Sequence, residues 1–210
     1  MGKLRLAAGA LLFIGMAVLC HAEEGQGSLQ RLELRLTERA TPFVPTLSEL
    51  AVSLPAGLFT GHRLLGRLEA HLHYLAYSVY LWPLPYFETC LSVDYAFVAR
   101  PKVRVAGGIG TGIADTAGFV SVPFIGELRS GYSPWRWLRV EGLLRAMAFG
   151  TGFIGDAQVG ALFEPLRRVG VLVGMGAGYS LAVPYTVDDF VGAFQLSATA
   201  GYAFSRGKRR

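Results

Sequence analysis

The stretch RLEAHLHYLAYSVYLW, residues 67–82, alternates between two kinds of side chain. Its even-numbered positions carry no charge, whereas its odd-numbered positions include Glu69, His71 and His73. Successive side chains of a β-strand point to opposite faces of the sheet. The stretch therefore predicts a strand with one apolar and one polar face. It is too polar for a membrane-spanning helix and too apolar for the surface of a soluble protein.

The same alternation continues along most of the chain. In further segments between Leu32 and Phe204, one parity carries no charge and the other parity holds most of the charged residues. A soluble antiparallel sheet also alternates, so a soluble periplasmic β-sandwich stays an alternative. If the polar parity faces the lumen of a barrel, the predicted lumen residues are Glu33, Arg35, Glu69, His71, His73, Asp94, Arg104, Glu127, Arg129, Arg139, Glu141 and Arg145.

The composition favours lipid as the medium around the apolar faces. Of the 210 residues, 52% are hydrophobic and 17% are charged, and the mean hydropathy is +0.39. Past the N-terminus, the sequence has no apolar run of about 20 residues, the length that a transmembrane helix needs. Hydrocarbon offers no hydrogen bonds, so only a closed sheet can span it with strands. We therefore predict an all-β, closed antiparallel transmembrane β-barrel with a polar lumen.

The two ends of the chain predict export. Lys3 and Arg5 precede a short apolar core that ends at Cys20, and small residues precede a cleavage point after Ala22. We expect residues 1–22 to form a cleaved secretory signal peptide, residues 23–204 one barrel domain, and residues 205–210 a basic periplasmic tail. Lipidation at Cys20 is an alternative reading of this N-terminus. The processed chain would keep Cys90 as its only cysteine, so no internal disulfide is expected.

The alternating segments predict ten strands, with eight as the alternative. The predicted strands lie near 29–37, 47–55, 67–81, 89–99, 102–110, 119–130, 135–148, 156–164, 168–181 and 192–204. In the eight-strand alternative, residues 23–66 form a periplasmic or lumen-plugging extension. Short turns are expected at 100–101, 131–134 and 164–168, and longer links at 111–118, 150–155 and 182–191. Short periplasmic turns and longer external loops would place both termini in the periplasm.

The last predicted strand ends in SATAGYAF, residues 197–204, which resembles the C-terminal signal read by the barrel-assembly machinery. Ser197, Tyr202 and Phe204 match that signal, whereas Thr199 stands where glycine is usual and the chain continues past Phe204. The whole pattern resembles the small bacterial outer-membrane β-barrels of the OmpX, OmpA membrane-domain and OmpW families. The resemblance implies location in the bacterial outer membrane. It also implies outer-membrane lipid and the assembly machinery as partners, and no nucleic acid.

Catalytic and cofactor chemistry have little support in the sequence. Glu69, His71 and His73 share one face and could hold a metal ion, or His71 could serve as a base for a serine such as Ser121. The His-x-Ser sequence of outer-membrane lipid hydrolases is absent. The glycine runs at 107–112 and 174–178 lack the spacing and the following helix of a nucleotide-binding loop. We therefore expect no catalytic residue, metal or cofactor, and we expect these glycines to make room for lumen side chains.

The lumen composition leads to the functional expectation. An eight-stranded barrel is just wide enough for side chains to fill, and opposite charges in that space should pair. We expect a narrow channel or uptake protein for small solutes. Hydrophobic solutes are included because of the OmpW resemblance and the apolar loops at 82–87 and 182–190. The alternatives are a structural or surface-contact barrel without transport and, third, an outer-membrane lipid-modifying enzyme.

Overall fold

The structure is a computed structural model that describes residues 31–40, 47–55, 67–77, 86–100, 102–116, 119–150, 152–166, 170–184 and 191–204. The described strands are β1 Leu32–Ala40, β2 Leu47–Pro55, β3 Leu68–Tyr77, β4 Tyr86–Ala99, β5 Val103–Thr116, β6 Phe119–Ser121, β7 Phe124–Trp135, β8 Leu138–Phe149, β9 Gly152–Leu166, β10 Val171–Pro184 and β11 Val191–Phe204. The predicted signal peptide and basic tail lie outside the described residues. Within the described part of the chain, no helix has the length and apolar character needed to cross a membrane.

Backbone pairing closes these strands into a barrel. Each strand pairs antiparallel with its neighbours, and β1 pairs with β11 from Leu32 opposite Phe204 to Ala40 opposite Leu196. The short β6 and the longer β7 both pair with β5 and share one position in the wall, so the barrel has ten strands. The ten-strand prediction is confirmed. The eight-strand alternative is wrong because β1 and β2 are hydrogen-bonded into the wall.

The barrel has two ends. We call the end at which β1 begins and β11 ends the terminal rim, and the opposite end the distal rim. Consecutive strands run in opposite directions and the barrel has an even number of strands. The start of β1 and the end of β11 therefore lie at the same rim. The break between β6 and β7 lies toward the distal rim, at Val122 and Pro123. Pro123 has no backbone N–H to donate to the sheet. Its carbonyl oxygen accepts a hydrogen bond from the Thr111 hydroxyl at 2.9 Å.

Several predicted links are wrong. Residues 131–134 lie inside β7, and the turn falls at residues 136–137. The expected long links at 111–118 and 150–155 shrink because β5 runs to Thr116 and β9 begins at Gly152. The physical reason is that glycine occurs inside strands as well as in turns. Here, many glycines sit within strands at positions that face the lumen, so a glycine-rich stretch does not end the strand.

The distribution of side chains is the reverse of that in a soluble protein. Apolar side chains on the outward face are open, with Ile109 64%, Val120 67% and Met175 68% exposed. Many charged side chains on the inward face are buried, and Asp94 is 0% exposed. The parity predicted for lipid contact is thus the outer surface of the barrel.

Two features of β1 and β2 depart from a uniformly apolar, exposed outer wall. Leu32 and Val52 have outward parity but are buried, and they pack among Leu34, Leu54, Leu72 and Phe204. Glu38 also has outward parity and is exposed, and the Ser48 hydroxyl lies 2.8 and 3.0 Å from its two carboxylate oxygens. The outer wall therefore contains one hydrogen-bonded carboxylate that the apolar pattern of the segment did not predict.

Two glycines show why side chains are excluded at particular points of the wall. At Gly108, an added Cβ would lie 1.8 Å from Oδ1 of Asp94, whose side chain crosses over the glycine. Gly170, before β10, has a φ of 81°, and an added Cβ would lie 2.2 Å from the Ala203 carbonyl oxygen. The Ala203 N–H donates to the Gly170 carbonyl at 2.7 Å. Gly170 therefore ties the turn before β10 to the end of β11.

Replacing Gly170 by alanine should destabilise the barrel by about 1–3 kcal/mol, because the positive φ and the close backbone oxygen both disfavour a side chain. Urea unfolding in detergent micelles measures this change. Gly126→Ala is the matched control, since an added Cβ there meets nothing within 4 Å. Equal unfolding midpoints for the two variants would contradict the assignment of strain to Gly170.

Candidate functional site

The lumen holds all of the residues that the sequence predicts for it. Each predicted lumen arginine and carboxylate lies within 4.0 Å of an oppositely charged group, and each of the two histidines lies within that distance of a carboxylate. Inward parity brings these side chains into one space, and the small bore brings them into contact across it. Most of the contacts fall into two clusters at different depths, and the Arg104–Glu69 pair lies apart from both.

The terminal cluster consists of Glu33, Arg35, Arg139 and Glu141. Arg35 Nη1 lies 2.6 Å from Glu141 Oε2, and Arg139 Nη2 lies 2.7 Å from Glu33 Oε2. Arg139 Nε also lies 2.7 Å from Glu141 Oε1, and Arg35 Nε donates to Glu33 at 3.0 Å. Each arginine therefore contacts both carboxylates. Since β1 and β8 are not neighbours, these bonds join separate parts of the wall across the lumen.

The central cluster lies deeper and consists of Glu49, His73, Asp94, Glu127, Arg129 and Arg145. Glu127 accepts from Arg145 Nε at 2.9 Å and from Arg129 Nε at 3.0 Å. Arg129 Nε also lies 2.9 Å from Asp94 Oδ2. His73 links the other side, because its Nδ1 lies 3.0 Å from Glu49 and its Nε2 lies 2.9 Å from Arg129 Nη2. The cluster thus joins strands β2, β3, β4, β7 and β8.

The geometry gives the two histidines structural partners. His71 Nδ1 lies 2.8 Å from the Ser53 hydroxyl, and its Nε2 lies 3.2 Å from Asp94 Oδ2. Glu69, the third member of the possible metal set, pairs with Arg104 instead. In the described part of the chain, no group of three or more histidine, cysteine or acidic side chains could hold a metal ion. Ser121 approaches the Ala114 carbonyl at 3.4 Å, and its contact with His71 is not formed.

The two halves of the lumen differ in solvent access. Near the terminal rim, the side chains of Arg104 and Arg139 are 38% and 32% exposed. In the central cluster, those of Arg145 and Glu127 are 4% and 1% exposed. We call the space between the terminal rim and the central cluster the vestibule, lined by Arg35, Arg104, Arg129 and Arg139. The vestibule is open to solvent and ends at the central cluster.

An apolar group packs on one side of the lumen beyond the central cluster. Cys90, Ile125 and Met147 face inward, are buried, and pack with Phe149 and Ile154. Ile125 lies beyond Glu127 toward the distal rim on β7, Met147 lies beyond Arg145 on β8, and Cys90 lies on β4. This distal apolar cluster, made of these five residues, was not expected in a polar lumen. A solute that passed the central cluster would therefore meet apolar side chains on one side, with the buried Glu88 carboxylate beside Cys90.

Sequence reasoning missed several inward-facing charges. Arg39 and Glu49 form a buried ion pair, and Arg39 Nη1 approaches Asp156 at 4.0 Å. Glu88 falls just before the predicted strand 89–99, but it lies in β4, is buried, and accepts a hydrogen bond from the Cys90 thiol at 2.9 Å. Asp156, the first residue of the predicted strand 156–164, lies inside β9. Parity was the signal that could have found Glu88, because it precedes Cys90, Ser92 and Asp94 at steps of two.

The residues of the predicted assembly signal lie on the final strand. Ser197, Tyr202 and Phe204 are all in β11, and the rings of Tyr202 and Phe204 have centroids 4.5 Å apart. Phe204 lies opposite Leu32, at the seam where the barrel closes. Recognition of this strand by an assembly machinery stays a prediction.

Comparison with known proteins gives structural likeness alone. No protein-family model matches the sequence, and neither does any curated protein. The outer membrane channel DcaP of Acinetobacter baumannii is 9% identical with a TM-score of 0.42, and the match covers 87% of this chain and 56% of DcaP. The NanC porin is 8% identical with a TM-score of 0.47, and the match covers 83% of this chain and 100% of NanC. The outer membrane protease OmpT of Escherichia coli is 8% identical with a TM-score of 0.49, covering 87% of this chain and 100% of OmpT. At these identities and TM-scores, the likeness does not extend to function.

Glu127→Gln should destabilise the barrel more than Glu141→Gln. Each of the two carboxylates pairs with two arginines, but the Glu127 side chain is 1% exposed and that of Glu141 is 27% exposed. Breaking a buried ion pair from one side costs about 3–5 kcal/mol, and a partly hydrated pair costs much less. Urea unfolding measures both variants. Adding Arg145→Met to Glu127→Gln should recover part of the loss, and equal losses for the two single variants would contradict a buried central cluster.

Proposed function

We propose that the protein is an integral β-barrel of the bacterial outer membrane, with a narrow path for small solutes that is closed in this conformation. The observation that carries the membrane placement is the inverted distribution of side chains. A closed wall with an exposed apolar outside and buried charges inside suits hydrocarbon, where no strand edge can remain unpaired. Water as the outer medium would leave the large outward side chains such as Val120 and Met175 unfavourably exposed.

Two features support the path: the vestibule leads into the lumen, and side chains, not the backbone, close the lumen beyond it. Solvent reaches the lumen from the terminal rim as far as the central cluster, where Arg145 and Glu127 are buried. Beyond them lies the distal apolar cluster, and apolar constrictions can gate a pore by excluding water. Rearrangement of side chains in these two layers, without movement of the backbone wall, would connect the two rims. The small bore of the barrel limits the solutes to small ones.

A hydrophobic solute has separate support on the outer wall. A shallow groove of about 460 Å³ crosses strands β5 to β11, and its lining includes Leu128, Leu144, Gly142, Tyr179 and Phe194. Its lining combines small residues such as Gly142 and Ala157 with larger apolar residues. Such a groove suits an apolar molecule that approaches from the lipid.

A structural barrel without transport is the second candidate. The burial of the central cluster and of the distal apolar cluster favours it, because together they seal the lumen in this conformation. The two candidates differ in what happens when the seal is weakened. If the lumen holds a closed path, weakening the seal would open it to ions. If the filling is purely structural, the barrel would stay non-conducting or would unfold.

Conductance in planar bilayers separates these candidates. Wild type is expected to show rare or no discrete steps, and the double variant Glu127→Ala and Arg145→Ala should raise their frequency at least several-fold. Tyr132→Ala with Val140→Ala is the matched control, since neither residue lines the groove. Both pairs are register partners on β7 and β8, but the control pair faces outward. Control conductance should equal wild type.

Heat-dependent mobility on gels verifies in the same preparations that the barrel is folded, and lipid flotation verifies insertion. If the inward double variant is folded, inserted and silent, the transport proposal is wrong and the structural barrel is favoured. If the folded protein does not insert at all, the membrane placement itself is wrong.

A further inference from the structure

The vestibule shows an asymmetry between the two members of its ion pairs. Arg104 is 38% exposed and its partner Glu69 16%, and Arg139 is 32% exposed and its partner Glu33 8%. Arg129 is 24% exposed, whereas Asp94 is 0% exposed. In these pairs the carboxylate lies against the wall and the guanidinium group faces the open space. Glu141 is the exception, at 27% against 21% for Arg35.

This asymmetry decides what a solute in the vestibule would touch. The formal charges of the pairs cancel, but the donors nearest the solvent are guanidinium N–H groups. A guanidinium group carries five N–H donors in a planar fork, and a single carboxylate occupies only part of them. Oxyanions such as carboxylate and phosphate match that fork. A cation would have to reach carboxylates that lie behind the arginines.

The arginines also lie at successive depths. Arg104 is near the start of β5 and Arg139 is near the start of β8, both at the terminal rim. Arg35 and Arg129 lie further from the terminal rim, and the exposed fraction of the side chain falls to 4% at Arg145 in the central cluster. Arg67, Arg100 and Arg136 are exposed around the same rim. Positive groups thus line the whole approach, which raises the local concentration of anions.

We propose that the vestibule is a binding site for small oxyanions, either carboxylates or phosphates, with Arg104 as the outermost ligand. The described carboxylate contact of Arg104 is Glu69 alone, so its remaining N–H groups are available to a solute. This inference rests on the proposed function for its biological sense, since it names the solute class of the proposed path. Binding itself requires only the folded barrel.

Isothermal titration of the folded, detergent-solubilised chain with inorganic phosphate, and separately with acetate, tests the site. Arg104→Gln should weaken binding roughly tenfold, the effect of losing one charge-assisted contact. Glu69→Gln should tighten binding, because it releases the guanidinium group of Arg104 from its competitor. A residue with a merely structural role would not produce opposite effects for the two partners. Arg136→Gln is the matched control, since Arg136 is exposed in the turn between β7 and β8.

The outcomes distinguish this inference from the proposed function. Binding that responds to Arg104 and Glu69 in opposite directions supports the site even if no variant conducts. Conductance without anion binding would overturn the inference and leave the path intact. Equal weakening by Arg104→Gln and Arg136→Gln would also overturn it, because it would show attraction to general positive charge at the rim. If both ligands bind, their ratio of affinities shows which oxyanion the vestibule prefers.

Discussion

The backbone hydrogen bonds between β1 and β11 are the constraint on which the rest of the molecule depends. They leave the wall without an edge, so each strand has one face toward the lumen and one toward the surroundings. Alternation along the strand then sorts the side chains, and every inward-facing charge has only other inward-facing side chains or lumen water as partners. The paired charges of the lumen follow from closure, since a buried charge without a partner is costly.

The lumen charges are more than a stable filling. Apolar side chains of similar volume would fill a narrow barrel at least as favourably as buried ion pairs. The distal apolar cluster shows that this chain uses such a filling where it suits the wall, at Cys90, Ile125 and Met147. Stability alone therefore does not explain the arginines and carboxylates between that cluster and the terminal rim. Their arrangement, with carboxylates at the wall and guanidinium groups toward solvent, fits contact with a solute.

Parity was enough to predict the barrel and the face of each lumen residue. It rests on backbone geometry that every strand shares, so it holds along the described strands except where a bulge shifts the register, as between Tyr132 and Trp135 in β7. Partners were harder to predict. Arg35 meets Glu141 because β1 and β8 face each other across the bore, and this depends on the register of all the intervening strands. No local pattern in the sequence determines the combined effect of these registers around the barrel.

The remaining errors have a common cause in strand length. Glu88 falls just outside the predicted strand 89–99 and Asp156 is the first residue of the predicted strand 156–164, yet β4 and β9 extend past both. Arg39 and Glu49 were missed because their strands were predicted short or apolar. Hydrogen bonding to a neighbouring strand extends a barrel strand beyond its own apolar segment. The ends of strands are therefore set by neighbours, whereas their faces are set by their own residues.

The ion pairs that cross the lumen also constrain the order in which the barrel is made. Arg35 and Glu141 are 106 residues apart, and Arg31 and Glu164 are 133 residues apart. Hairpins between consecutive strands can form early from local contacts, but these pairs need both ends of the chain in place. Until the seam between β1 and β11 closes, the lumen charges keep their water. Closing the seam is expected to bring these distant partners together late, whereas register partners such as Glu127 and Arg145 can pair within their own hairpin.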